Sequence, residues 1–214
     1  MRVHDNTSFK IDVIDCDNGF RSIMDKATDG VDCRVNCLNA QDHEPRIERN
    51  NRTIRNQVQL GLHRTGCKAI PRLMIKELAI NATNKHDFFT AKKGTSDMHS
   101  TETLVTGRQL DYKKHCPHEF GECVQTHTHE TPRNDMTKRT LHAIHLCPND
   151  NDQGGHALVD LMTGSRITRH KIRMVPLTSL VKNQVEALAA AQGMTDMKFT
   201  NEKGETLPHA DWTA

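Results

Sequence analysis

Asn39-Ala-Gln-Asp-His-Glu-Pro-Arg-Ile-Glu48-Arg-Asn-Asn-Arg-Thr-Ile-Arg55 is the stretch on which the reading turns. A polar loop runs into Pro45 and then into a basic amphipathic segment that carries one carboxylate, Glu48. Pro45 suits the first turn of a helix, where its missing N–H would find no partner anyway, and Glu44 places negative charge at the same end. At roughly 100° per residue, Ile47, Asn51, Ile54, Val58 and Leu62 fall on one stripe, with Glu48, Arg52 and Arg55 on a neighbouring face. The spacing therefore predicts a helix from about Pro45, with the apolar stripe inward and the Glu/Arg face outward. Read from spacing alone, that face is a solvated surface whose Glu–Arg pairs contribute only a few tenths of a kcal/mol each.

Working outward, the segment before it alternates. Phe9, Ile11 and Val13 are apolar and Lys10 and Asp12 polar, the period of a half-buried strand. The strand ends in Asp15-Cys16-Asp17-Asn18-Gly19, which is a turn sequence in its own right. Phe20 to Ala27 can form a short helix, and Val31 to Leu38 a second strand. After the central helix, a further helix is expected from Ile70 to about Asn84, with Pro71 in its first turn. Lys85 to Asp97 loses periodicity and reads as a linker.

From Glu119 the pattern changes to short strands, at Glu122 to His127, Thr140 to Cys147, His156 to Leu161 and Arg166 to Arg173. Pro148-Asn-Asp-Asn-Asp-Gln-Gly-Gly155 and Met162-Thr-Gly164 separate them as turn signals. A small antiparallel barrel fits this spacing. Thr178 or Ser179 can cap a last helix with Val181, Val185 and Leu188 inward and Gly193 as its stop. The tail beyond Gly193 is expected to be disordered.

Two of these segments resemble copia-type retrotransposon integrases. Ile47-Glu48-Arg49-Asn50-Asn51-Arg52-Thr53-Ile54 is similar to their A-E-R-x-N-R-T-L helix, and Asp17-Asn18-Gly19 to their S-D-N-G strand end. Weaker matches follow. Ser100-Thr-Glu-Thr-Leu-Val-Thr-Gly-Arg108-Gln-Leu-Asp-Tyr112 resembles the connector that leaves the catalytic core. Ala143-Ile-His-Leu146, Gln153-Gly-Gly-His-Ala-Leu158 and Thr163-Gly-Ser-Arg-Ile-Thr-Arg169 resemble the block that follows it, although His145 and Cys147 stand where that block is more apolar or carries glycine.

The resemblance implies an α+β chain: the second half of a ribonuclease H-like core over residues 1–90, a connector over 91–115, a small antiparallel SH3-like barrel over 116–176, and a helix and tail over 177–214. It implies that Asp17 and Glu48 are the second and third members of a catalytic Asp, Asp, Glu set that holds Mg²⁺, and that the partner is DNA. Integrase chemistry needs clustered carboxylates because two Mg²⁺ ions clamp the attacking and leaving oxygens. The first aspartate, which bridges both ions, belongs on a strand before Phe9 and has no match. The expectation is thus a C-terminal integrase fragment, inactive alone, whose partners include the missing half or other integrase chains. A reading of a different class is a non-catalytic DNA-binding or assembly module.

Composition bounds these readings. The hydrophobic fraction of 35% and aromatic fraction of 4% leave little core material in 214 residues, against the roughly 45–50% apolar content of ordinary domains. The net charge of +2 exerts no strong global pull on nucleic acid, so binding has to come from local clusters. Arg49, Arg52 and Arg55 form one; Arg166, Arg169 and Lys171, with Arg173, form another on the expected barrel. No apolar run suits a membrane span or signal peptide, and seven cysteines read as reduced thiols of an intracellular protein, nuclear or cytoplasmic. His115, Cys116, His118, Cys123, His127 and His129 crowd together, yet lack the Cys-x-x-Cys and His-x-x-x-His spacings of zinc modules. A histidine-rich barrel surface is the simpler expectation.

Overall fold

A computed structural model describes residues 12–17, 20, 23–24, 33–38, 45–90, 96–109, 111–128, 136, 138–149 and 154–197. The architecture is mixed α+β and divides into two compact units, Met1–Gln57 with Ala82–Tyr112 and Val58–Asn81 with Lys113–Ala214.

In the first unit, β1 (Val13–Asp17) pairs in parallel with β2 (Arg34–Leu38), Val13 opposite Arg34 and Asp17 opposite Leu38. Parallel neighbours need a crossover; Ile23 and Met24 in the intervening segment are helical. Both strands overlap those expected, while Phe9 to Ile11 and Val31–Asp32 lie outside the described residues. The unit also holds the short helix α3 (Thr101–Thr106), capped at both ends. The Ser100 side chain accepts the Thr103 N–H at 3.2 Å, and Gly107, at φ 70°, donates its N–H to the Thr103 carbonyl. Both orphan-group problems of a short helix are thereby solved locally. Phe89 rests against Tyr112, the first residue of the short helix α4 (Tyr112–His115), ring centres 5.7 Å apart. Among the described residues of this unit only Cys16, Ala82 and Ser100 are buried.

The second unit is built on five antiparallel strands: β3 (Cys123–His127), β4 (Thr140–Pro148), β5 (His156–Asp160), β6 (Arg166–Arg169) and β7 (Ile172–Met174), in the spatial order β6-β5-β4-β3-β7. The edge strands β6 and β7 are consecutive in the chain, separated by His170 and Lys171 alone. Four inter-strand spacings would hold flat edges about 19 Å apart. From Arg169 to Ile172 the chain reaches at most about 11 Å. The sheet must curl until its edges approach. Arg169 Nε donates to the His127 carbonyl at 3.1 Å and Thr126 Oγ1 to the Lys171 carbonyl at 3.0 Å, bonds that tie the end of β6 and the β6–β7 link to β3. The single strand expected from Arg166 to Arg173 therefore breaks at His170, because its two halves serve opposite edges.

Curling divides the core in two. Val124, Ala143 and Leu158, with Leu141, Ile167 and Ile172, form the inner cluster. The outer face presents Cys123, Ile144, Leu146, Cys147, Ala157 and Val159. A bulge between His145 and Cys147 inserts Leu146 into β4 and turns both Leu146 and Cys147 to that face. Three helical segments cover it: the end of α1 (Pro45–Thr65) through Leu62, the start of α2 (Arg72–Phe88) through Met74 and Leu78, and α5 (Ser179–Ala190) through Val185. Thr178 caps α5 as its sequence predicts, accepting the Val181 N–H. Gly121, at φ 87°, sits where an added Cβ would meet Thr65 Cγ2 at 2.9 Å, so the lead into β3 needs glycine both for conformation and for room.

This packing departs from the expected division at residue 90. Residues 58–81 belong with the sheet because its outer face is what their apolar side chains bury. Ile47 and Asn51, expected inward, are exposed, and burial along the stripe starts at Ile54. Lys85 to Phe88, expected as linker, continues α2, its basic last turn facing the negative helix end. The tail beyond 197 lies outside the described residues; Met197 still packs on the core.

Glu77 is the charged side chain beneath this layer. It is buried, meets Arg166 Nε at 3.1 Å, and accepts a weak bond from Cys147 Sγ at 3.7 Å. An unpaired carboxylate there would be expensive. Arg166→Ala should lower the unfolding free energy by about 3 kcal/mol, and the joint exchange Glu77→Leu, Arg166→Met should recover most of that loss. Urea titrations followed by circular dichroism measure both. A single-variant change below about 0.5 kcal/mol, the level of an exposed pair, would mean that solvent already satisfies Glu77.

Candidate functional site

In the first unit the carboxylates and arginines follow the chain order that the sequence suggests. Asp17 is the last residue of β1, and its side chain lies outside the described residues. Glu48 is exposed in the first turn of α1, and Arg49, Arg52 and Arg55 are exposed along the same half of the helix. Asp15, the nearest alternative carboxylate, is occupied: Asn36 Nδ2 donates to its Oδ1 at 2.8 Å across the strand pair. Among the described residues no three His, Cys, Asp or Glu side chains are grouped to hold a metal ion.

The second basic cluster separates on inspection. Arg166 is committed to Glu77 and is a structural cation. Arg169 spends its guanidinium on the carbonyls of His127 and Thr168, at 3.1 and 2.8 Å. Lys171 and Arg173 are exposed, as are Lys138 and Arg139. Among the described residues, the exposed cations of this unit include Lys171, Arg173, Lys138 and Arg139, with Arg169 partly withdrawn.

Among the described residues, the cysteines and histidines of 115–129 do not group as three potential metal ligands. His127 ends β3 opposite Thr140, and the side chain of His115 and all of His129 lie outside the described residues. His118 instead joins two histidines from other strands, His145 on β4 and His156 on β5, with ring centres 5.2 to 5.5 Å apart. His145 is fully buried. Its Nδ1 lies 2.9 Å from the Glu119 carbonyl, which can only accept, so Nδ1 carries the proton and Nε2 is left to accept from His156 Nδ1 at 3.2 Å. His118 Nδ1 meets the Glu122 carboxylate at 3.2 Å. His156 has its pKa lowered, first by burial, then by the nearby His118 and His170. The three rings form a hydrogen-bonded polar cluster built from two strands and the segment that leads into β3.

Sequence reasoning missed His145, His156 and Glu77. The signals were present: Glu77 falls on the stripe of Leu73 and Met74, and His145 interrupts an apolar strand. Burial, with Glu77 adding to it, pushes Cys147 up to about 11, and burial also raises Cys67 and Cys123.

No protein-family model and no curated protein matches this chain. No helix among the described residues is long and apolar enough to cross a membrane.

A histidine with a lowered folded pKa binds fewer protons folded than unfolded between the two values. Its stabilisation is present above the unfolded value of 6.5 and is lost as the pH falls through the folded one. The urea midpoint should therefore drop between pH 7.5 and pH 5, and His156→Gln should flatten that drop. An equally steep fall in His156→Gln would locate the acid sensitivity elsewhere.

Proposed function

We propose that this chain is a DNA-binding portion of a copia-type retrotransposon integrase, the second half of a ribonuclease H-like core joined to an SH3-like barrel. The observation that carries the reading is one of order and level. Asp17 closes a strand whose parallel neighbour ends beside it at Leu38, and the helix that follows that neighbour bears Glu48 in its first turn. Sites in parallel α/β structures form at the carboxyl ends of strands. The curled sheet supports the second half of the reading, since its last strand returns to pair with its first, β7 beside β3.

Magnesium in this reading would supply the clamp on attacking and leaving oxygens. Asp17 and Glu48 are hard oxygen donors of the right type, but two carboxylates do not complete a two-ion site, and the described residues add no third. Mg²⁺ sheds water reluctantly and needs near-octahedral ligation, so such a pair holds it weakly. The function assigned to the chain by itself is accordingly binding without strand transfer. Electrostatics supports binding: arginines that neutralise phosphates release counterions, and this contribution is tolerant of sequence. A non-catalytic DNA-binding or assembly module is the second reading; the exposed cations of the curled sheet favour it.

Fluorescence anisotropy on duplex DNA over a salt series tests the proposal. Arg49→Ala, Arg52→Ala and Arg55→Ala together should weaken binding for all sequences alike and flatten the salt slope by about one unit for each phosphate no longer neutralised. Mg²⁺-dependent strand transfer should not rise above that of Glu48→Ala. An unchanged salt slope would show that the arginine face is only solvated. Transfer activity abolished by Glu48→Ala would mean that a further carboxylate completes the site.

A further inference from the structure

Cys16 and Cys37 stand directly opposite one another in the parallel pair β1–β2, twenty-one positions apart in the chain, with their sulfurs at 3.5 Å. Cys16 is buried, Cys37 is half-buried, and neither is in a disulfide. We propose that this pair is a reversible redox site, a dithiol that a low-molecular-weight disulfide such as oxidised glutathione converts to a Cys16–Cys37 disulfide.

The exchange proceeds in two steps. The more accessible Cys37, as thiolate, attacks one sulfur of glutathione disulfide, forms a mixed disulfide and expels glutathione thiolate. Cys16, as thiolate, then attacks the Cys37 sulfur, closes the protein disulfide and expels the second glutathione. The two protein thiols give up two protons and two electrons, and the glutathione disulfide takes them up as two thiols.

Fold geometry favours the second step while limiting the strength of the product. In-register neighbours of a sheet lie about 4.8 Å apart, within the Cα range of disulfides, whereas the bonded Cβ atoms prefer about 3.8 Å. Side chains of parallel strands leave the ladder side by side, so the Cβ atoms must draw together by roughly 1 Å. Bridges strained in this way are the readily reduced ones, suited to regulation more than to permanent stapling. Burial raises the pKa of half-buried Cys67 and of buried Cys123 and Cys147, which disfavours their thiolates. Cys33, half-buried just before β2, is the nearest rival.

A covalent tie at this level fixes the strand that ends in Asp17 to the strand that leads into α1. It would brace a unit in which few of the described residues are buried. The inference stands on the strand pair itself and is independent of the DNA-binding reading.

The test equilibrates the full chain in glutathione buffers of increasing oxidising strength, native and in concentrated guanidinium. Acid quenching, alkylation and peptide mass mapping then count the bridges. Cys16–Cys37 should form with an effective concentration about tenfold or more higher in the native protein than in the denatured one. It should persist in Cys33→Ser and disappear in Cys37→Ser. A native protein that yields only glutathione adducts at Cys37, or a Cys33–Cys37 bridge, overturns the proposal. So does a Cys16–Cys37 bridge that forms no more readily native than denatured.

Discussion

A sheet that is apolar on both faces cannot remain an open layer, and the rest of the second unit follows from that constraint. One face closes on itself: the two-residue link between β6 and β7 draws the edges together over Val124, Ala143 and Leu158. The other needs a lid. Burial of apolar surface is worth about 25 cal/mol per Å², so leaving Ile144, Leu146, Ala157 and Val159 in water would forgo most of what holds so small a domain together. The end of α1, the start of α2 and α5 supply the cover. The bulge at Leu146 enlarges the face to be covered by adding a residue to it.

Covering that face brings a carboxylate with it. Glu77 shares the stripe of Leu73, Met74 and Leu78, and packing the stripe carries its side chain out of water. Arg166 answers from the edge strand β6. The pairing explains why an arginine that reads as a nucleic-acid contact in the sequence is a structural cation in the fold. Buried pairs of this kind add little net stability, but each partner makes the other indispensable.

Legibility in the sequence followed the range of the interactions. Pro45, the Thr178 cap, the alternating strands and the Gly193 stop are decided within a few residues, and each was readable. The division between units was not, because the periodicity of α1 says which side of the helix is apolar but nothing about how far along it a partner extends. Full burial at Leu62, with Ile47 exposed, is set by a sheet formed much later in the chain. The break at His170 likewise depends on which edges its flanking strands join. For the candidate site, chain order was legible and grouping was not: His145 and His156, from separate strands far along the chain, are the rings that meet His118.

The first half of α1 is then free to do something other than pack. Its arginines 46, 49, 52 and 55 stand against one carboxylate in the same half, Glu48. Glu48 sits in the first turn, where the positive end of the helix dipole already stabilises negative charge. The dipole and the arginines have the same sign there, so one carboxylate does not cancel the field that an approaching phosphate meets. Exposure keeps each single interaction weak through screening. On the proposed reading, several of them along two helical turns would act on a polyanion together, with a sum that depends on backbone charge and not on base identity. Among the described residues of this half of the helix few side chains are buried, and such regions open most readily. Binding a polyanion would therefore order this half of the helix as well as hold it.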